Sequence, residues 1–388
     1  MAGGRVGLRL DPSLLEHLGA GRRTLLVTGT NGKTTTTRLL VAALEPACGG
    51  PGSVATNATG SNMPAGHVAA LATGRRDATA VLEVDEGYLA EALVALDPVV
   101  SVLLNLSRDQ LDRTSEVRML SGRWRSALGA AEHTWVVANA DDPLVVWAAG
   151  EASRVRWVAA GLGWRADAVG CPACEGRITF EEGGGDGWVC RCGFSRPVVD
   201  VSVERDGAGT WAVWRDGRRA RVALGIPGKF NASNAVMAAE AAGITGVDAG
   251  AALRAMGELE SVGGRFSIKD VKGVPTRLLL AKNPAGWHEL LELVGDDTGS
   301  VVVAINARLA DGRDPSWLWD VDFERLGGRH VVATGERCLD LAVRLRYAQV
   351  PHLTVRQPEA AVAIAGQHGG RVDFIGNYTA FAELLGRS

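Results

Sequence analysis

Short apolar runs alternate with amphipathic stretches in the first part of the chain. Runs with the length of buried strands lie at residues 24–28, 79–84, 99–104, 134–138 and 155–159. Apolar residues recur at helical spacing between them, at residues 33–45, 87–96, 116–131 and 142–149. Alternation of strand and helix predicts a mostly parallel sheet with helices on both faces.

The pattern changes further along the chain. Residues 165–225 combine four cysteines, a run of glycines and short alternating segments, which is typical of β structure in an insertion. Helical patterning resumes at 231–243 and 248–259, and a second α/β series begins near residue 268. Its strands are predicted near residues 276–281, 300–305, 329–333 and 372–375. We therefore predict two α/β domains, residues 1–266 with an insertion at about 167–198, and a smaller domain at 267–388.

Charge and hydropathy exclude several classes of protein. A net charge of −3 gives no electrostatic argument for nucleic-acid binding. No apolar run approaches the ~20 residues of a membrane span, and the first residues lack the apolar core of a signal peptide. We expect a cytoplasmic protein, peripheral at the inner membrane face if its substrate is held in the membrane.

A glycine-rich segment joins the first predicted strand to the first long helix. Lysine occurs only five times among the 41 basic residues, and Lys33 in this segment is the only one before residue 229. Glycines let backbone N–H groups surround a phosphate, Lys33 would reach the β/γ-phosphates, and the hydroxyl of Thr34 or Thr35 would hold Mg²⁺. The predicted ATP-binding residues are Gly29, Thr30, Asn31, Gly32, Lys33, Thr34 and Thr35.

This compressed GTNGKTT loop, together with four later segments in the same order, resembles the Mur ligase family. The later segments are residues 83–86, 105–112, 139–143 and 228–234, followed by the Gly264-Arg265 pair. The resemblance implies a central P-loop domain in which Glu83, ending a buried strand, binds Mg²⁺. It also implies nucleotide contacts by Asn139, Asp142, Asn231, Asn234 and Arg265.

Three features depart from the peptide-forming Mur ligases. Gln110 replaces the usual histidine of its segment, and residues 34–228 contain no lysine that could be carbamylated. The phosphate loop also begins near residue 28, so we expect no domain that holds a UDP-sugar before it. We expect retained ATP chemistry with a different acceptor and a different metal arrangement.

Four cysteines form two pairs, Cys171 with Cys174 and Cys190 with Cys192, separated by fifteen residues. Two such knuckles can place four thiolates around a structural Zn²⁺ ion, and disulfides are not expected in a cytoplasmic protein. Unmetallated or redox-active thiols are the alternative. The acidic residues between the knuckles argue against nucleic-acid binding by this zinc ribbon.

A zinc ribbon inserted in a Mur core, with the segments at 280–287, 306–320 and 376–379, resembles the MurT family, the synthetase subunits of the MurT–GatD lipid II isoglutaminyl synthases. The resemblance implies amidation of the D-glutamate α-carboxylate of lipid II through an acyl phosphate, with ammonia from a GatD-like glutaminase. Lys282 is a candidate to hold the substrate or the acyl phosphate. An aspartate would complete the partner's Cys–His pair, and Asp314 is favoured over Asp311 and Asp320.

Two other functions stay open on the sequence. A folylpolyglutamate-type ligase would add an amino acid, which the missing core lysine and the cysteine knuckles disfavour. A zinc-ribbon ATPase would bind nucleic acid or regulate a partner without forming an amide, and a basic patch with interleaved aromatic residues would support it. The ribbon has no such patch.

Overall fold

A computed structural model describes residues 2–57, 61–108, 117–181, 187–259, 266–295 and 299–386. The described chain divides into two compact units. The first unit comprises the described residues up to 259 except Arg108 and Ile226–Gly228, and the second comprises those exceptions with the described residues from 266 onward.

The first unit is built on a nine-stranded sheet with the order β11-β10-β9-β6-β5-β4-β1-β3-β2. Strands β1 to β6 are parallel to their neighbours, whereas β9, β10 and β11 form an antiparallel meander at one edge. The strands are Thr24–Thr28 (β1), Ala55–Thr56 (β2), Ala80–Glu83 (β3), Val100–Leu103 (β4), Trp135–Asn139 (β5), Val155–Ala159 (β6), Val201–Asp206 (β9), Gly209–Trp214 (β10) and Arg219–Arg221 (β11).

Helices cover both faces of this sheet because successive apolar residues of the parallel strands point to opposite sides. Leu26, Leu82 and Leu103 pack under the layer that includes Leu93 and Trp124. The helices α3, α8 and α9 contact one another in the other layer. The helices are Ala2–Leu10 (α1), Leu14–Gly19 (α2), Lys33–Cys48 (α3), Pro64–Thr73 (α4), Leu89–Leu96 (α5), Val117–Ala130 (α6), Pro143–Ala149 (α7), Lys229–Ile244 (α8) and Ala249–Gly257 (α9).

The cysteine-bearing insertion forms a two-stranded antiparallel ribbon between β6 and β9. Its strands are Ile178–Phe180 (β7) and Trp188–Cys190 (β8). Cys171, Ile178, Trp188 and Cys190 form a small buried cluster together with Val146 of α7. The ribbon is therefore packed against the first unit along one side.

The second unit has a six-stranded sheet with the order β12-β13-β17-β14-β15-β16, in which only the edge strand β12 runs antiparallel to its neighbour. The strands are Phe266–Val271 (β12), Val274–Leu280 (β13), Ser300–Ala304 (β14), Val331–Thr334 (β15), His352–Thr354 (β16) and Val372–Gly376 (β17). The helices are Pro284–Gly295 (α10), Cys338–Tyr347 (α11), Pro358–Gly366 (α12) and Tyr378–Leu385 (α13).

The fold class predicted from the sequence, α/β with an inserted ribbon and a further α/β unit, is confirmed. Among the residues that the structure describes, no helix is both long and apolar enough to cross a bilayer.

Candidate functional site

The phosphate loop lies between β1 and α3 and depends on two glycines. Gly29 and Gly32 have φ values of +138° and +87°, which side-chain-bearing residues rarely adopt. A Cβ at Gly29 would lie 2.9 Å from Leu104 Cβ, and one at Gly32 would lie 3.0 Å from Asn234 Oδ1. The loop thus has no space for side chains at either position, and the predicted ATP-binding residue Asn234 lies directly against it.

The segment after β4 holds the phosphate loop in place. Asn105 Oδ1 accepts from the Asn31 N–H at 2.9 Å, and Asn105 Nδ2 donates to the Asn31 carbonyl at 3.0 Å. The Thr30 hydroxyl donates to the Ser107 carbonyl and accepts from the Ser107 N–H, both at 3.0 Å. Asn31 and Thr30, both predicted to bind ATP, are therefore fixed by reciprocal hydrogen bonds.

Lys33 is the first residue of α3, and its ammonium group is turned into the loop. Its Nζ donates to the carbonyls of Gly29 and Thr30 and lies 2.8 Å from Glu86 Oε2. Both side chains of this ion pair are largely buried, at 3% and 14% exposure. Glu86 was not among the predicted site residues, although it stands three positions after Glu83.

Glu83 ends β3 beside the phosphate loop and contacts the predicted magnesium ligand Thr34. The Thr34 hydroxyl donates to Glu83 Oε2 at 2.9 Å, which distinguishes it from the hydroxyl of Thr35. Asn57 accepts from the Glu83 N–H and donates to its carbonyl, both at 2.8 Å, and His67 Nε2 lies 2.9 Å from the same carbonyl. A hydroxyl and a carboxylate on fixed backbone suit Mg²⁺, which prefers oxygen ligands.

The predicted nucleotide loop after β5 is braced from within. Asn139 Nδ2 donates to the Gly161 carbonyl at 3.0 Å. Asp142 is fully buried, where it caps α7 by accepting from the Leu144 N–H at 2.9 Å and accepts from the Leu106 N–H at 2.8 Å. Burial raises the pKa of the Asp142 carboxyl to about 6, against the effect of these N–H donors. In this arrangement Asp142 supports the loop, and a contact with ATP stays a prediction.

The remaining predicted nucleotide residues are divided between described and undescribed parts of the chain. Asn231 and Asn234 are buried on α8, near its start at Lys229. Arg265 and Gln110 lie outside the residues that the structure describes. The predicted nucleotide residues that the structure describes therefore lie on α8, in the phosphate loop and in the loop after β5.

The four ribbon cysteines come together, as predicted. Their Sγ atoms all lie within 4.8 Å of one another, with 3.8 Å between Cys171 and Cys192 and 3.5 Å between Cys174 and Cys190. Tetrahedral coordination with Zn–S bonds of about 2.3 Å places sulfur atoms about 3.8 Å apart. The four thiols thus have the composition and the spacing that a closed zinc site requires.

The three candidate aspartates of the second unit have different environments. Asp311 is buried and accepts from the backbone N–H of Thr379 at 2.9 Å and from its hydroxyl, near the start of α13. Asp314 is exposed and accepts from the Ser316 N–H at 2.9 Å. Asp320 ends the 3₁₀ helix Ser316–Asp320, and 42% of its side chain is exposed. Asp311 therefore has a structural role, while Asp314 and Asp320 are accessible.

The segment that directly follows Asp314 is held by Arg344 of α11. The Arg344 guanidinium donates to the carbonyls of Leu318 and Val321, at 3.2 and 2.6 Å, and to both carboxylate oxygens of Glu324. The same guanidinium lies 5.8 Å from the ring centre of Trp319. No sequence motif marked Arg344, because its partners are mostly backbone carbonyls.

Lys282 follows β13 in the loop before α10. Its side chain is half-buried, and its neighbour Asn283 is buried and accepts from the Gly286 N–H at 2.9 Å, which caps α10. Asn306 and Asn377 belong to the two other predicted segments, and the Asn377 side chain accepts from the Asn306 N–H at 3.1 Å and donates to the Asn306 carbonyl at 2.7 Å. The three segments that resemble the MurT family thus follow β13, β14 and β17, which are neighbouring parallel strands.

Comparison with known proteins identifies relatives along nearly the whole chain. The Mur ligase middle domain matches residues 27–170, and the MurT ligase C-terminal domain matches residues 280–381. The chain is 28% identical to the lipid II isoglutaminyl synthase (glutamine-hydrolyzing) subunit MurT of Streptococcus pneumoniae, over 98% of this chain and 91% of the relative. The MurT subunit of Staphylococcus aureus matches with the same identity and coverage.

Solved structures support the same fold. A pseudomurein peptide ligase type C from Methanothermus fervidus superimposes with a TM-score of 0.66 at 19% identity, over 95% of this chain and 78% of that one. The two domain matches stand in the order of the two compact units, and the MurT relatives span both. The chain therefore carries a Mur ligase middle domain followed by a MurT ligase C-terminal domain, is similar to MurT subunits over nearly its whole length, and is an ATP-dependent ligase.

Proposed function

We propose that the chain is the synthetase subunit of a lipid II isoglutaminyl synthase, which converts the α-carboxylate of D-glutamate in the stem peptide to a carboxamide during peptidoglycan synthesis. The observation that carries this proposal is a complete phosphate loop with its Thr34–Glu83 pair in a chain whose relatives bear that name. The first unit would bind ATP, and the second would bind the substrate and the partner. The cytoplasm, at the inner face of the membrane, is where both substrates would be available.

The reaction proceeds in two balanced steps. An oxygen of the substrate carboxylate attacks the γ-phosphorus of ATP, the bond to the bridging oxygen breaks, and ADP leaves. Ammonia then attacks the acyl carbon, inorganic phosphate leaves with the electrons of the C–O bond, and the nitrogen loses a proton to solvent. Negative charge builds up on the phosphoryl oxygens during the first step, so its stabilisation dominates catalysis.

Lys33, Thr34 and Glu83 would carry this stabilisation. The Lys33 ammonium now donates to two loop carbonyls and to Glu86, and it would exchange at least one of these contacts for a phosphate oxygen. Thr34 and Glu83 would hold Mg²⁺, which neutralises phosphate charge when bound. Lys282 would hold the substrate carboxylate or the acyl phosphate.

A separate glutaminase subunit would supply the ammonia. The chain has six cysteines, four of which form the ribbon cluster, while Cys338 begins α11 and Cys48 ends α3. A glutaminase nucleophile needs a sharp strand-to-helix turn, and neither of these two cysteines follows a strand directly. Asp314, exposed and at the start of a 3₁₀ helix, would orient the partner's histidine.

Transfer of heavy oxygen tests the acyl phosphate. With lipid II labelled in the D-glutamate α-carboxylate, ATP and ammonium, one labelled oxygen should appear in the released inorganic phosphate for each amide formed. Amide formation without labelled phosphate would contradict the proposed intermediate. A ligase that adds an amino acid would instead give a product heavier by that residue.

The partner role of Asp314 has its own test, the substitution Asp314→Asn. Asparagine keeps an acceptor for the Ser316 N–H, so the local turn should be retained. We expect amidation with ammonium to be unchanged and amidation with glutamine plus a GatD-like partner to be lost. Equal activity with both nitrogen sources would exclude Asp314, and Asp320→Asn would then be the next variant to assay.

A further inference from the structure

The zinc ribbon contacts the predicted nucleotide loop at two consecutive residues. Trp188 Nε1 donates to the Ala140 carbonyl at 3.1 Å. Arg196 Nε donates to Asp141 Oδ1 at 2.6 Å. Trp188 stands two residues before Cys190, and Arg196 stands four residues after Cys192. Both contacts therefore come from the chain on either side of the second cysteine knuckle.

The acceptor side of both contacts is buried, so solvent would compensate only part of their loss. The Asp141 side chain is 1% exposed and that of Arg196 is 24% exposed. The second oxygen of Asp141 accepts from the Gly161 N–H at 2.6 Å. Removing one partner of a buried ion pair leaves an uncompensated charge, which costs more than the loss of an exposed pair.

An aromatic cluster adds a second connection between the ribbon and α7. The ring of Phe194, two residues after Cys192, lies 4.9 Å from Trp188 and 5.9 Å from Trp147 of α7 between ring centres. Asp142 caps the start of the same helix. The ribbon thus holds both the loop 139–142 and the helix that follows it.

The contacts continue from the nucleotide loop to the phosphate loop. Asp142 Oδ2 accepts from the Leu106 N–H at 2.8 Å. The neighbouring Asn105 makes the paired hydrogen bonds to the backbone of Asn31 described above. Hydrogen bonds between buried or partly buried groups, joined by the backbone at Asp141–Asp142 and Asn105–Leu106, therefore connect Arg196 to the phosphate loop.

We infer that the zinc ribbon positions the nucleotide site, with Trp188 and Arg196 as the positioning residues. The ribbon has few apolar residues of its own, so the metal would supply most of the free energy that orders it. Ordered cysteine knuckles fix Trp188 and Arg196, which fix the loop 139–142. Zinc occupancy and nucleotide affinity are then coupled, and each raises the other by the same factor. The inference rests on the proposed nucleotide site.

A matched pair of substitutions tests the positioning role. Arg196→Met removes the contact to Asp141. Arg118→Met removes a more exposed contact of the ribbon, in which Arg118 of α6 lies 3.0 Å from Glu175 and donates to the Pro172 carbonyl at 3.3 Å. The two side chains of this ion pair are 45% and 77% exposed. The readout is the Kd of a fluorescent ATP analogue with Mg²⁺ in the zinc-loaded chain, with zinc content and thermal unfolding measured on the same samples.

We expect Arg196→Met to weaken nucleotide binding by about 2- to 30-fold at unchanged zinc content, and Arg118→Met to leave the Kd unchanged. Trp188→Phe replaces the indole with a smaller aromatic ring and removes the N–H donor, and it should weaken nucleotide binding less than Arg196→Met. Equal Kd values for Arg196→Met and the parent, or equal weakening by both arginine variants, would overturn the inference. A parent chain that binds no nucleotide would instead refute the proposed function on which it rests.

The reciprocal effect provides an independent readout. The rate at which a zinc-selective dye removes zinc from the parent chain should fall when saturating nucleotide is present. In Arg196→Met this protection should be smaller than in the parent chain. Zinc release at the same rate with and without nucleotide would show that the ribbon and the nucleotide site are independent.

Discussion

Arg344→Met should loosen residues 316–326, the segment that directly follows Asp314, while leaving ATP chemistry intact. Arg344 is 8% exposed and donates to two backbone carbonyls, of Leu318 and Val321, besides Glu324. Both carbonyls would keep a backbone N–H donor, from Val321 and Phe323, so the cost is the loss of two hydrogen bonds from a charged group, about 1.5–3 kcal/mol each. The pair with Glu324, which is half exposed, adds at most about 1 kcal/mol. The local stability of residues 316–326 should therefore fall by about 4 kcal/mol.

Amide hydrogen exchange measures this local effect. A loss of about 4 kcal/mol should accelerate exchange in residues 316–326 by up to roughly a thousandfold. The control is Arg337→Met, which removes a largely exposed pair with Asp340 near the start of the same helix. Methionine fills a similar volume in both variants, so the difference between them reports the loss of the buried contacts.

The activity of Arg344→Met should depend on the nitrogen source. If Asp314 serves a partner glutaminase, amidation with glutamine should be strongly reduced, whereas amidation with ammonium should match that of Arg337→Met. Exchange in residues 316–326 no faster than in Arg337→Met would refute the structural reasoning. Faster exchange with equal loss of both activities would refute the assignment of this segment to the partner.

Three further predictions follow from individual contacts. Burial raises the pKa of Asp142 to about 6, so its contribution to the free energy of unfolding is complete below about pH 3.8 and is lost as the pH rises through about 6. Unfolding curves of the parent chain should show this loss, and those of Asp142→Asn should lack it. Glu86→Gln should tighten ATP binding by about 1 kcal/mol, roughly fivefold, because Lys33 loses a competing carboxylate, and a weaker Kd in a fluorescence titration would contradict this. Asp311→Ala should destabilise the second unit by about 1–3 kcal/mol, because the Thr379 N–H loses its acceptor. This variant should lower amidation with ammonium and amidation with glutamine equally, whereas Asp314→Asn should lower only amidation with glutamine.

The parts of the fold with strong periodicity were predictable from the sequence. Strands β1 and β3 to β6 and the helices α3, α6 and α8 lie close to their predicted positions, whereas the two-residue strand β2 was not predicted. The helices α1, α2 and α4 were not predicted, because glycine and alanine dominate α1 and α4 and α2 has only six residues. Such helices form because neighbouring helices pack against them, which a local pattern does not reveal.

Parts of the candidate site were predictable from the sequence where a set of residues at a given spacing is typical of a single kind of site. The cysteine knuckles, the phosphate loop and the Thr34–Glu83 pair are of this kind. A sequence motif does not reveal the direction in which a side chain points. The structural roles of Asp142 in the loop 139–142 and of Asp311 in the segment 306–320 could therefore not be distinguished from the roles of neighbouring residues. The roles of these residues, the domain boundary near residue 266 and the contribution of Arg265 stay predictions.

Contacts that depend on tertiary structure were missed altogether. Glu86 reaches Lys33 because the short 3₁₀ helix Glu86–Tyr88 turns directly after β3, and the Trp124 indole fixes this turn by donating to the Glu86 carbonyl at 2.8 Å. Arg196 reaches Asp141 only because the ribbon packs against the first unit. Neither Glu86 nor Arg196 is part of a sequence motif that would have predicted its contact.

The most direct test of the central claim is the mass of lipid II after incubation with this purified chain, ATP, Mg²⁺ and a high concentration of ammonium. Ammonium replaces the glutaminase, so the synthetase should act alone. We predict a product in which the D-glutamate α-carboxyl has become a carboxamide, formed with one ADP per amide and absent with Lys33→Ala. Unchanged lipid II, both with the chain alone and with a co-expressed GatD-like partner and glutamine, would contradict the assignment of lipid II as the substrate.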